Sequence, residues 1–116
     1  GIRRLANLVG PAMVKEIFFT ARQFSAGEAK EMGLVNRVLP PHMLAPYVDD
    51  YAERISENAP MTMESVKAIV QAIQDDETAR DLDALDAMVK ACFASQDYIE
   101  GRRAFMEKRK PNFTGS

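Results

Sequence analysis

The residues best suited to chemistry in this 116-residue chain lie near its end, in YIEGRRAFMEKRKPNF, Tyr98 to Phe113. Five basic and three aromatic side chains share those sixteen positions. On a helix, Tyr98, Arg102, Phe105, Lys108 and Arg109 fall along one side through the i, i+3, i+4 and i+7 relations. A ring one turn before a lysine can stack a planar base while the ammonium meets a phosphate. Cations in a last helical turn are also favoured by the helix dipole with no ligand at all. A solvated helix end, a nucleic-acid patch and a grip for one phosphorylated ligand therefore share the same residue types. Nothing elsewhere in the chain extends the patch, which weighs against nucleic acid.

Other chemistry is sparse. The sole histidine, His42, follows two prolines and lacks the partners that a metal or catalytic role requires. Cys92, the only cysteine, occupies an apolar helical position and is expected to be a buried, inert thiol without a disulfide partner. Asp81, Asp83 and Asp86 alternate with Leu82 and Leu85, the polar face of an amphipathic helix. Asp75, Asp76 and Glu77 sit at a helix junction, where acidic groups favour the following N-terminus. No pair of carboxylates is marked out for acid/base work by an apolar pocket. No phosphate-binding glycine loop, H-E-x-x-H or G-x-S-x-G is present. No metal ligand set is therefore expected, and the residues alone give no reason to choose a catalytic pair.

The elements that must position the tail are helical. Hydrophobic residues make up 47% and charged residues 28%, with a net charge of −2, which fits one globular domain without an electrostatic pull toward nucleic acid or an anionic membrane. Ile2 to Leu8 reads as a short amphipathic helix or turn stopped by Gly10, and Pro11 opens a helix to about Thr20. In SAGEAKEMG, Ser25 is an N-cap, Glu28 completes a capping box and Gly33 stops the helix. LVNRVL, Leu34 to Leu39, is the one strand candidate, rich in β-branched residues and ended by Pro40-Pro41. After Pro41 every segment repeats at helical spacing. Ser95 is expected to cap a last helix from Gln96 to about Arg109, before Pro111. Five of the seven methionines follow Pro41 and suit an adaptable helix–helix or subunit surface. The chain opens without an initiator Met, signal or transit peptide, and no apolar run approaches a bilayer span, so a cytoplasmic setting is expected.

Three stretches, in order, carry a family resemblance. FTARQFSAGEAKEMGLVNRVLP, Phe19 to Pro40, resembles the L-T-G/A-R-x-[FI]-S-A-x-E-A-x-x-x-G-L-V-[NS]-x-V-[VF]-P segment of the crotonase, or enoyl-CoA hydratase/isomerase, family. ASQDYIEGRRAFMEKRKPNF resembles that family's C-terminal x-S-x-D-x-x-E-G-x-x-A-F-x-E-K-R-x-P-x-F, and GIRRLANLVGPA its G-G-x-x-R-L-x-R-x-V-G. The resemblance implies a mainly α chain: the C-terminal helical, trimerisation region of a crotonase-like α/β fold, with one orphan strand near 35–39. Residues 1–40 would end the core, and 41–116 would form the helices of trimerisation and of a lid over coenzyme A. The parent would process acyl-CoA, an enoyl-CoA hydratase first; another reaction of the family (isomerase, hydrolase) and a stand-alone helical interaction module are the alternatives. Its catalytic carboxylates and oxyanion-hole amides would lie upstream, and Glu16, Glu28 and Glu31 do not match them. Phe105 and Lys108 match positions near the CoA adenosine and phosphates, with Arg109 and Lys110 in the same electrostatic field and Arg102 and Arg103 at a surface or interface. The implied partners are the acyl-CoA substrate and further copies in a trimer or dimer of trimers, without nucleic acid, membrane or resident cofactor.

Overall fold

The computed structural model describes residues 1–116, and all of its regular structure is helical. Seven α-helices follow one another: α1 Ile2–Val9, α2 Pro11–Thr20, α3 Ala26–Glu31, α4 Pro41–Ser56, α5 Pro60–Gln74, α6 Leu82–Ala94 and α7 Gln96–Glu107. A 3₁₀ turn, Glu77–Ala79, links α5 to α6. The chain divides into two compact units, Gly1–Tyr47 and Val48–Ser116, so the division falls inside α4. Pro46, one residue before it, cannot donate to the carbonyl of His42, a weak point that helical spacing alone does not reveal. No helix is long and apolar enough to cross a membrane.

In the first unit, Gly10 joins α1 to α2 at φ 84°, a conformation open to glycine, and Pro11 starts α2 where its missing N–H is harmless. The capping box at α3 is complete: Ser25 Oγ accepts the Glu28 N–H at 3.1 Å, and Glu28 Oε2 accepts the Ser25 N–H at 2.8 Å. Arg22 braces that corner, bonded to Glu16 at 2.9 Å and Glu28 at 2.8 Å, with its guanidinium 3.7 Å from the centre of the Phe24 ring. Arg22 first, then the Ser25 amide, hold the Glu28 carboxyl down at about 2. At the far end of α3 the Gly33 N–H reaches Lys30 O and the Leu34 N–H reaches Ala29 O, a Schellman closure with Gly33 at φ 80°.

The strand expected at 35–39 does not form. The amides of Leu34 and Val35 are both spent on the Ala29 carbonyl, closing α3, and no second strand exists in the chain to build a ladder. β-branched composition marks a segment that suits a pleated surface, but a strand also needs a partner edge.

The second unit is built on α5, α6 and α7, which pack in sequence. Polar groups set each helix end. Arg80 donates to the Ile73 and Asp75 carbonyls at the end of α5, Asp81 caps α6 by accepting the Ala84 N–H at 2.9 Å, and Ser95 caps α7 by accepting the Tyr98 N–H at 3.1 Å. Apolar burial is slight. Val14 and Ala104 are the buried hydrophobic residues, while Ile73 is 65% exposed and Val66 and Val70 are about half exposed along α5.

Replacing Ser25 by Ala removes the side-chain half of the capping box. The expected loss is about 1 kcal/mol of stability, read from the shift in denaturant midpoint. An unchanged midpoint would show that Arg22 alone holds this corner.

Candidate functional site

The basic tail is shaped by two carboxylates on the first turns of α7. Asp97 is 3% exposed, and both of its oxygens are committed: Oδ1 accepts the Thr114 N–H at 2.7 Å and Oδ2 the Gly115 N–H at 2.8 Å. Its own N–H donates to the Ser116 carbonyl at 3.0 Å. One turn on, Glu100 accepts the Asn112 N–H at 3.0 Å and takes Arg109 in a two-point grip, at 2.6 and 3.0 Å. Gly101 leaves room for the Phe113 ring, whose nearest atom lies 3.4 Å from where a Cβ would stand. Residues 109–116 therefore run back along α7 as a strap.

That strap decides which of the tail's cations are available. Arg109 is held by Glu100 and also by Glu107 at 2.6 Å, and these carboxylates push its pKa further up. Lys110 bonds Glu57 at 2.9 Å, which raises its pKa as well. Both of the cations expected to share the electrostatic field of Lys108 are thus engaged by carboxylates. Arg102 lies 5.9 Å from the centre of the Tyr98 ring. Lys108 has no carboxylate partner.

The one-sided alignment expected from Tyr98 to Arg109 also stops short. The helix ends at Glu107, and Lys108 turns left-handed at φ 54°. The Lys108 N–H bonds to Phe105 O and the Arg109 N–H to Ala104 O, the same closure that ends α3. At α3 the left-handed residue is glycine; here it is a lysine, in a conformation that costs an L-residue roughly 1–2 kcal/mol.

Phe105 is 82% exposed and lines a groove of about 500 Å³ between α5, α6 and α7. Arg102, Met61, Cys92, Phe93 and Phe113 line it too; Lys108 does not. Cys92 is half-buried rather than buried, donating to the buried Ser65 hydroxyl at 3.6 Å. His42 is exposed in the first turn of α4. No group of His, Cys, Asp or Glu is placed to hold a metal ion. Asp97 and Glu100 fall on the D and E of the C-terminal pattern quoted above, which assigns them no role, and Glu57 lies outside every motif. Their partners stand 9 to 53 positions away, beyond any helical spacing rule.

The sequence profile of the Enoyl-CoA hydratase/isomerase family matches residues 1–116. The chain belongs to that family. It is 39% identical over 113 residues to a crotonyl-CoA hydratase of Syntrophomonas wolfei, covering 97% of this chain and 44% of that protein. It is 35% identical to a methylmalonyl-CoA decarboxylase of Escherichia coli, covering 99% and 45%. The crystal structure of an enoyl-CoA hydratase from Bacillus anthracis superposes with a TM-score of 0.81 at 37% identity, over 99% of this chain and 45% of that one. The chain thus spans a little under half the length of the relatives it matches, and the superposition places its helices as the helical part of their larger fold.

Glu100 makes the strap sensitive to acid. Arg109 first, and then the Asn112 amide, lower its carboxyl from 4.5 to about 2. A depressed carboxyl contributes stability that is fully present above 4.5 and is lost as pH falls through about 2. The Asn112 amide resonance should therefore titrate with a midpoint near 2, and Glu100→Gln should abolish that titration. A midpoint at 4.5 would mean that Glu100 does not hold the strap.

Proposed function

We propose that this chain is the C-terminal helical part of an acyl-CoA-transforming enzyme, most simply an enoyl-CoA hydratase, in which it supplies subunit contacts and part of the coenzyme A site. The observation that carries the coenzyme role is Lys108. A lysine occupies the left-handed turn that glycine takes at Gly33, and it stays unpaired while its neighbours Arg109 and Lys110 are neutralised. Backbone strain held at a side chain with no structural partner points to a use for that side chain. An unpaired ammonium suits a phosphate and an exposed ring suits an adenine, and coenzyme A carries both.

The chemical step belongs to groups outside this set. The carboxylates with defined partners here are engaged: Glu16 and Glu28 with Arg22, Glu100 with Arg109, Asp97 with two amides. A carboxylate held near 2, as Glu28 and Glu100 are, is a poor general base at neutral pH. The relatives' names agree with this division. One is a hydratase and another a decarboxylase, yet both act on CoA thioesters, so the region they share with this chain suits the coenzyme better than the reaction. The single cysteine suits a reducing compartment such as the cytoplasm.

The exposed apolar side chains of α5 and α7, among them Val70, Ile73 and Met106, support assembly into a homo-oligomer. Covering side chains of this kind is worth on the order of 1 kcal/mol each. Sedimentation equilibrium of the full-length protein should give a trimer or a multiple of it; a monomer at micromolar concentration overturns the subunit role.

Replacing Lys108 by Gly separates binding from folding. Gly relieves the left-handed strain and should raise stability by about 1 kcal/mol. The same change removes a charge-assisted contact, so CoA affinity measured by titration calorimetry on the full-length protein should fall roughly tenfold or more. Phe105→Ala should weaken CoA several-fold, with stability little changed because the ring is exposed. Undiminished CoA affinity in the Lys108 variant would falsify the coenzyme role.

A further inference from the structure

We propose that Asp97 and Glu100 are positioning residues for the coenzyme, latching residues 109–116 onto α7 and thereby fixing the turn that carries Lys108. The inference rests on the reading of Lys108 as a phosphate ligand. A one-residue reversal is determined from both sides. Before it stands α7; after it the strap is tied at Arg109, Asn112, Thr114, Gly115 and Ser116, every one of them to Glu100 or Asp97. A lysine left to itself would leave the left-handed region, so something must over-determine its backbone. The strap does this, and it also sets Phe113 against Gly101 as a wall of the groove that Phe105 lines.

Neither carboxylate is free to meet a ligand itself. Asp97 is buried with both oxygens occupied, and Glu100 is spent on Arg109 and Asn112. Glu100 has a second effect. By neutralising Arg109 together with Glu107, it leaves Lys108 as the unpaired cation of the Lys108–Arg109–Lys110 run. Both residues act through the turn, one through its path and one through its path and its charge.

The test uses the full-length protein with Asp97→Asn, Glu100→Gln and, as reference, Lys108→Gly. Hydrogen exchange of residues 109–116 reads the latch, and steady-state kinetics with an acyl-CoA and the matching acyl-pantetheine read the positioning. Acyl-pantetheine keeps the thioester and lacks the adenosine and its phosphates. Asp97→Asn should speed exchange at Thr114 and Gly115 by roughly tenfold or more, as expected when a buried anchor is lost. The KM for acyl-CoA should rise about five- to tenfold with kcat retained, and the KM for acyl-pantetheine should not move. Glu100→Gln, at a less buried position, should act in the same direction and serves if the Asp97 variant does not fold. Equal KM changes for both substrates, or faster exchange with acyl-CoA KM unchanged, overturn the positioning role. An unchanged acyl-CoA KM in Lys108→Gly overturns the coenzyme reading instead, and the exchange data still report whether the latch exists.

Discussion

A carboxylate buried at the start of a helix is costly unless every oxygen finds a donor, and Asp97 finds two amides from the last residues of the chain. The dependence is mutual. Without Asp97, the Thr114 and Gly115 amides lose their acceptor; without the strap, the Asp97 oxygens lose both of those donors. Because the strap turns back at Lys108, this pairing also sets where α7 ends, which cations are neutralised and which ring walls the groove. The tail is therefore one cooperative unit, and a change at Asp97 is felt 11 positions later at a residue it does not touch.

Polar locks of this kind do much of the organising elsewhere. Glu28 and Arg22 fix the entry to α3, Arg80 closes α5, and Asp81 and Ser95 open the last two helices. The apolar stripes contribute less within each unit, since Val14 and Ala104 are the hydrophobic residues buried outright. This division of labour has a physical consequence. Helix ends satisfied locally keep short helices in register, while stripes left open remain free to be covered by other protein surface. A helical part of a larger fold needs both properties.

Helix starts and stops were legible in the sequence because their signals are local. Pro11, Ser25 with Glu28, Gly33 and Ser95 each act within four residues, and each stands where spacing and capping chemistry place it. The segment 35–39 was misread for the complementary reason: strand identity depends on a partner the local sequence does not contain. The last helix was read two residues long, since nothing in KRK announces a left-handed lysine. Ion pairing was the least legible feature. Arg109 with Glu100 and Lys110 with Glu57 join positions that no periodicity relates, so a census of charges counts three equal cations where the fold leaves one.

That difference separates the two ligand classes that the tail's composition first allowed. A nucleic-acid surface works by summing many cations along a phosphate backbone, and each pairing with a carboxylate removes one from the sum. Neutralising Arg109 and Lys110 would be a poor way to build such a surface. It is a good way to leave one unpaired cation in the Lys108–Lys110 run, set on a fixed turn three residues after an exposed ring. A ligand that presents one planar base and a small cluster of phosphates gains from that arrangement, because a field concentrated at one place specifies where the phosphates go. The paired cations also keep the strap in place, so the interactions that remove the competing charges are the ones that hold the remaining charge still.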